Sequence, residues 1–339
     1  LQVKCVQSLL NTLVTLTSER DESAYESALI DALSDLIVTV HGTHAEPAII
    51  YSYSLNEEKE QQFSAKSING SVDHHEIPVA LQRAIIRCCN SGEVGAYHAA
   101  DGTLTKLYPL VNPVSSVTSV IGVEDPQTDD RLDMAINTLL QIYQNFTRLI
   151  YDNQSDTLTG LLNRKTFDIK INKILTRMQS VAKRKEDKPD QAYFLAIFDI
   201  DHFKRVNDQF GHLIGDEVLL MFAQLMKQSV READPLFRFG GEEFVGVFEC
   251  AKSTNINLIL ERFRQKIEGF SFPQVGKITV STGYTQIREF DTPNQLIDRA
   301  DSALYFAKNN GRNRIACFEQ LVADGMLQEP RKEGGVEIF

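Results

Sequence analysis

The sequence predicts an α+β protein of two domains joined by a helix. Three observations point there. The first half of the chain alternates helix-like and strand-like stretches and closes on a helix. Residues 129 to 153 place apolar side chains at alternating steps of four and three. The second half orders its elements strand, helix, helix, strand, strand, helix, strand, helix, which suits an antiparallel sheet flanked by helices.

At 339 residues the chain is long enough for two domains of ordinary size. Hydrophobic residues make up 42% and charged residues 24%, the composition of a soluble globular protein. A formal net charge of -11 argues against a binder of duplex nucleic acid, which needs a basic face. It leaves room for a nucleotide held by a few local Lys and Arg residues. The five cysteines form no CxxC pair and no metal-ligand spacing, so reduced thiols and a cytoplasmic location are expected. No apolar run approaches the ~20 residues needed to span a bilayer. The chain starts at Leu1 rather than Met, which limits that expectation to these residues.

In the first half, Val3, Val6, Leu10, Leu13 and Thr17 predict an amphipathic helix over residues 2–19. Leu29, Leu33, Leu36 and Ile37 predict another from Tyr25 to Val40. Strands follow over Ala48–Ser54 and Gln62–Ser67, then a helix over Pro78–Ser91. Two more strands, Lys106–Val111 and Ser116–Val123, are separated by a turn at Asn112-Pro113. His41, His44, His74, His75 and His98 are read as surface residues, with haem or metal ligation as the alternative. Cys88-Cys89 is read as core packing on a helix.

Leu132, Ile136, Leu139, Tyr143, Phe146 and Ile150 form the most regular stripe in the chain. A dimeric coiled-coil stalk is expected over 129–155. The alternative is a helix packed on its own domain.

The second half opens at Asp156, with Gly160 expected to break the preceding helix. An amphipathic helix runs through Phe167, Ile171, Ile174, Leu175 and Met178, and residues 181–191 read as a polar loop. Ala192–Ile200 is nearly all apolar, as in a strand buried on both faces, and it ends in Asp199-Ile200-Asp201. Carboxylates there are costly unless a cation or donors meet them. Residues 202–215 read as polar and turn-rich, and Asp216 opens a helix to about Glu232. Strands Pro235–Phe239 and Phe244–Phe248 flank Gly240-Gly241, whose positive φ values suit a tight hairpin. Glu242 and Glu243 then lie beside backbone free of side chains, an arrangement suited to a polyphosphate with its divalent cation. An ordinary charged hairpin tip is the alternative. A helix (Thr254–Ile267), a strand (Ile278–Gly283) and a helix (Pro293–Asn309), stopped by Gly311, complete the set.

Four segments carry a family resemblance: DTLTGLLNR (156–164), FDIDHFKRVNDQFGHLIGDEVL (198–219), RFGGEEF (238–244) and AKNNGRNR (307–314). In content, order and spacing they resemble the GGDEF domain of diguanylate cyclases, a palm-like fold. The first half resembles the GAF family of sensor domains through Leu107-Tyr108-Pro109-Leu110 and Val120-Ile121-Gly122-Val123-Glu124. The expected organisation is a GAF-like domain (1–128), a coiled-coil linker (129–155), a GGDEF domain (156–320) and a tail (321–339).

The resemblance implies two GTP condensing to cyclic di-GMP and two pyrophosphates across a homodimer held by the 129–155 helix. Asp199, the carbonyl of Ile200 and Glu242 are implied as ligands of Mg²⁺, with Mn²⁺ as an alternative. Glu242 is also the implied base for the attacking 3′-hydroxyl, with Glu243 beside it, and Lys204 the implied stabiliser of phosphate charge. Asn207 and Asp216 are implied to read guanine, Phe203 to line the GTP site, and Lys308 and Arg312 to hold the triphosphate. Arg231, Asp234 and Arg262 match the family's product-inhibition site. Glu242 departs from the aspartate of the family name. The competing readings are a silent receptor for cyclic di-GMP or GTP, an enzyme making an adenine-containing cyclic dinucleotide, and a dual enzyme with a phosphodiesterase domain. Intact acids argue against the first, Asp216 against the second, and chain length against the third.

Overall fold

Which side chains alternate, and toward what, decides the layering of both halves. The computed structural model describes residues 22–41, 48–55, 61–67, 70–71, 77–111, 117–124, 130–183, 192–231, 233–250 and 253–329. The chain divides into two units, residues 1–153 and 154–339. The helix expected over 2–19, the Asn112-Pro113 turn, His44, His74, His75 and the end of the tail lie outside the described residues.

In the first unit, strands β1 (Ile49–Leu55), β2 (Gln61–Ser67), β3 (Gly70–Ser71), β4 (Gly95–His98), β5 (Leu104–Val111) and β6 (Val117–Glu124) form one sheet. Its order is β3-β2-β1-β6-β5-β4, and every pairing is antiparallel. Helices α1 (Glu22–His41) and α3 (Asp130–Gln154) share a core with Ile50, Tyr108, Leu110, Ile121 and Val123. Helix α2 (Val79–Ser91) packs Leu81, Ile85, Cys88 and Cys89 against Tyr51, Leu107 and Val120, whose alternation assigns them to the other face. Cys88 and Cys89 are thus core residues, as read. His98 is exposed on β4, a strand the sequence analysis did not anticipate.

The stripe expected to form a coiled coil packs within the first unit. Leu132, Ile136, Leu139 and Tyr143 are buried against α1 and the sheet of their own unit, and Phe146 and Ile150 pack at the edge of that core. Lys106 Nζ and the Tyr108 hydroxyl each donate to Asp133 at 2.6 Å, pinning α3 to β5. Over three heptads a stripe facing a second helix and one facing a sheet have the same spacing, and the apolar sheet face won.

The second unit contains β7 (Leu162–Asn163), α4 (Arg164–Lys183), β8 (Ala192–Ile200), α5 (Phe203–Phe210), α6 (His212–Lys227), β9 (Leu236–Gly240), β10 (Glu243–Cys250), α7 (Ser253–Gly269), β11 (Val280–Gln286), α8 (Pro293–Asn309), β12 (Ile315–Cys317) and α9 (Phe318–Ala323). Its sheet runs β12-β11-β8-β10-β9-β7. The four central strands are antiparallel, as expected, but both edge pairings, β11 with β12 and β7 with β9, are parallel. On β8, Phe194, Ala196, Phe198 and Ile200 enter the core shared with α5, α6 and α7. Leu195 and Ile197 enter the core shared with α4 and α8. Residues 203–210, read as turn-rich, are helical, and α6 starts at His212 and stops at Lys227, short of Glu232.

Helix α8 positions the site. It starts in a capping box: Gln295 N donates to Thr292 Oγ1 and Thr292 N to Gln295 Oε1, with Pro293 in the first turn. Arg299 grips Asp291 through Nη1 (2.8 Å) and Nη2 (2.6 Å). Ala300, Ala303 and Ala307 bring its backbone down onto β11 at Gly283. A Cβ on Gly283 would come within 2.1 Å of Leu304 N and 2.2 Å of Ala300 O, both backbone atoms. Gly283→Ala is therefore expected to cost about 3 kcal/mol in denaturant unfolding, the upper end for overpacking.

Candidate active site

Period-two alternation puts Asp199 on the same face of β8 as Leu195 and Ile197, beneath α8. Register sets Glu243 of β10 opposite Asp199 on one side and Ser281 of β11 on the other. Lys308 follows Leu304 by one turn of α8 and reaches down to Asp199, Nζ to Oδ2 at 2.7 Å. Ile200 N lies 3.5 Å from Glu242 O, which brings the hairpin tip over the end of β8.

The electrostatics of this corner are costly. Asp199 is 5% exposed. Burial pushes its carboxyl above the ordinary aspartate value of 3.8; Lys308 opposes the rise, and Glu243 and Asp201 add to it. Burial also raises Glu242, reinforced by Asp199 and Glu243 and opposed by Lys308. Carboxylates crowded into one desolvated corner, offering oxygen donors only, fit a hard divalent cation. No group of three or more His, Cys, Asp or Glu side chains converges to hold a metal among the described residues. The remaining ligands of such a cation would be backbone carbonyl, water and phosphate oxygens, as Mg²⁺ prefers.

Three anchors hold this corner. At the hairpin tip Gly240 (φ 142°) and Gly241 (φ 52°) adopt backbone conformations that an L side chain disfavours. Arg238 donates from Nε and Nη2 to Gly241 O (3.1 and 2.9 Å) and from Nη1 to both oxygens of Asp156 (3.1 and 3.2 Å). Burial opposes ionisation of Asp156, but hydrogen bonds from Thr159 and Arg238 hold its carboxyl below the ordinary range. The first turn of the unit, and not a helix broken by Gly160, is thereby tied to the hairpin, since α3 has already ended at Gln154. Asp201 accepts from Thr279 Oγ1 (2.7 Å), Ser281 Oγ (2.7 Å) and Asn313 N (3.0 Å).

Helices α5 and α6 turn at Gly211, and Asn207 lies against the turn that carries Asp216. A Cβ on Gly215 would meet Asn207 Oδ1 at 1.9 Å. Asp216 is exposed, and so are Lys204 on α5 and Arg312 beyond α8. Phe203 is a core side chain at 3% exposure, which leaves only its main chain for a ligand. Arg231, Asp234 and Arg262 form a separate cluster. Asp234 Oδ2 accepts from Arg231 N (3.3 Å), in a turn and not a helix, and Arg262 Nη2 donates to Ser229 O (2.6 Å). Burial raises the Asp234 carboxyl, against the pull of Arg231. The structural roles of Asp156, Asp201, Arg238 and Asn313 had not been assigned from sequence, although all four lie inside the quoted motifs. A carboxylate at the end of a buried strand, needing donors, was the available signal for Asp201.

Residues 153–314 match the GGDEF family, described as "Diguanylate cyclase, GGDEF domain". All four motifs lie inside the matched stretch. Diguanylate cyclase DgcP of Pseudomonas aeruginosa is 41% identical over 164 residues, 48% of this chain and 23% of that protein. Diguanylate cyclase VdcA of Vibrio cholerae is 32% identical over 193 residues, 55% of this chain and 53% of that protein. The chain thus spans between about a quarter and about half the length of these curated relatives. A crystal structure of the coiled coil and GGDEF domain of DgcB from Caulobacter crescentus, in complex with c-di-GMP, is 27% identical. It covers 55% of this chain and 97% of its own, with a TM-score of 0.49.

Because the folded-state pKa of Asp199 is raised, its charge costs stability at neutral pH and nothing once pH falls below the ordinary 3.8. In metal-free buffer Asp199→Asn should raise the melting temperature at pH 7, and the gain should vanish toward pH 4. Scanning calorimetry across that range checks it.

Proposed function

We propose that the chain is a diguanylate cyclase, condensing two GTP into cyclic di-GMP with release of two pyrophosphates. The observation that carries this is the pairing of two desolvated acids, Asp199 and Glu242, with Lys308 at a glycine hairpin, inside the stretch matching the GGDEF family. In this reading Glu242 accepts the proton of the attacking 3′-hydroxyl, with Glu243 next to it. Its raised proton affinity suits that task better than an ordinary exposed glutamate. Lys308 and Arg312 hold the triphosphate, and Lys204 meets charge developing on the transferring phosphate. Asp199, the Ile200 carbonyl and Glu242 would hold Mg²⁺ or Mn²⁺, which neutralises phosphate charge and lowers the pKa of the attacking hydroxyl.

Asn207 and Asp216 read the base. A carboxylate accepts from guanine N1–H and N2–H₂, a donor pair adenine lacks, so Asp216 favours GTP. Each bond-forming step joins the 3′-oxygen of one GTP to the α-phosphorus of the other and expels pyrophosphate. One domain holds one GTP, so two copies must meet face to face. The first unit, GAF-like in pattern, is the proposed sensor, and Arg231, Asp234 and Arg262 the proposed site where product inhibits. No helix of the described residues is long and apolar enough to cross a membrane; the proposed place of action is the cytoplasm.

Purified protein incubated with GTP and Mg²⁺ should yield cyclic di-GMP by chromatography, and Glu242→Gln should lower the rate by about 10²-fold or more. Asp216→Ala should erode preference for GTP over ATP more than it lowers total turnover. Failure of wild type to make product at any protein concentration, with cyclic di-GMP still binding, would overturn the enzyme reading in favour of a receptor.

A further inference from the structure

The segment after α8 has a conformation that its own sequence does not favour. Gly311 (φ 107°), Arg312 (φ 59°) and Asn313 (φ 45°) are three successive residues with positive φ, and two of them carry side chains. A non-glycine residue in this region costs free energy, so something outside the segment must hold it there. Asparagine tolerates the conformation better than arginine, which makes Asn313 the natural point of attachment.

Its attachments are explicit. Asn313 N donates to Asp201 Oδ2 at 3.0 Å, at the end of β8. Its side chain accepts from Arg264 Nη1 (2.8 Å) through Oδ1 and donates from Nδ2 to Glu268 Oε1 (2.7 Å). Arg264, on α7, has a side chain only 13% exposed. It also donates from Nε and Nη2 to Glu261 (2.9 and 2.6 Å) and from Nη1 to Glu268 (2.9 Å). The guanidinium plane is therefore fixed by two carboxylates before it meets Asn313. Arg314 O, just beyond, accepts from Thr282 N of β11 at 2.9 Å. The segment is clamped from α7, β8 and β11 together.

The geometry points to Arg264 and Asn313 as positioning residues that hold the 310–314 segment, and with it Arg312 and the end of α8 at Lys308, in register for the triphosphate. The inference rests on the reading of Lys308 and Arg312 given under Proposed function. Neither Arg264 nor Asn313 touches the substrate in this account. They act through Arg312 and Lys308, so their loss should weaken GTP capture without changing the bond-making step.

The test is a kinetic and binding cycle on the full chain. Arg264→Ala and Asn313→Gly are made singly, together, and each in an Arg312→Ala background. Glycine keeps the left-handed backbone and the N–H to Asp201, so Asn313→Gly removes the side-chain bridge alone. Each single variant should raise the KM for GTP about tenfold with kcat within about twofold of wild type. The double variant should be no worse than either single one, and the effect should shrink in the Arg312→Ala background to the part transmitted through Lys308. Arg264→Lys should not rescue, because an ammonium cannot reproduce the fork. Additive effects, or a fall in kcat with KM unchanged, would show that Arg264 merely stabilises α7 and would overturn the inference. Calorimetric GTP affinity separates the two claims. If wild type binds GTP without turning it over, the cyclase reading fails while the ratio of dissociation constants still judges the bridge. A wild type that neither binds nor turns over GTP ends both.

Discussion

A carboxylate at the buried end of a central strand is the constraint on which the second unit depends. Asp199 follows seven residues of β8 that are apolar or aromatic, and its neighbours on both sides are strands. Water cannot solvate it fully, so the fold must bring positive charge to it. Helix α8 does this with Lys308, and α8 reaches the sheet only because Gly283 and a run of alanines let two backbones meet. The capping box at Thr292 and the Arg299–Asp291 pair set where α8 begins. The clamp on residues 310–314 sets how it ends.

The acids around the site fall into two groups by how well they are satisfied. Asp156, Asp201 and Asp291 each accept several hydrogen bonds and hold turns together. Asp199 has one short ion pair, and the Glu242 carboxylate has no hydrogen-bond donor among the described residues. Satisfied carboxylates organise backbone; carboxylates left short of donors are held ready for something else.

Much of this was legible because the signals were local. Ala192–Ile200 was read to the residue, since a continuous apolar run bounded by a polar loop and acids has one reading as a central strand. Pro293–Asn309 was equally legible from its Pro start and Gly stop. The hairpin followed from two adjacent glycines. What was missed has non-local causes. Strand β12 is three residues long and exists only because β11 offers it a parallel edge. The polar stretch 203–210 forms a helix because Phe203 and Val206, three residues apart, find a core beneath them. The stripe on α3 was visible, but whether a sheet or a second chain covers it depends on residues far away in sequence. The bonds of Asn313 depend likewise on α7, where Arg264 lies 49 positions earlier.

The central claim is that Asp199 and Glu242 are poised for a divalent cation that arrives with a nucleoside triphosphate. Electron paramagnetic resonance titration of Mn²⁺ in the presence of a non-hydrolysable GTP analogue tests this most directly, comparing wild type with Asp199→Asn. The account predicts that the variant binds Mn²⁺ at least about tenfold more weakly, the scale expected when a metal site loses one of its supports. Equal Mn²⁺ affinity in the two proteins would contradict it, and would leave Asp199 as no more than the partner that anchors Lys308.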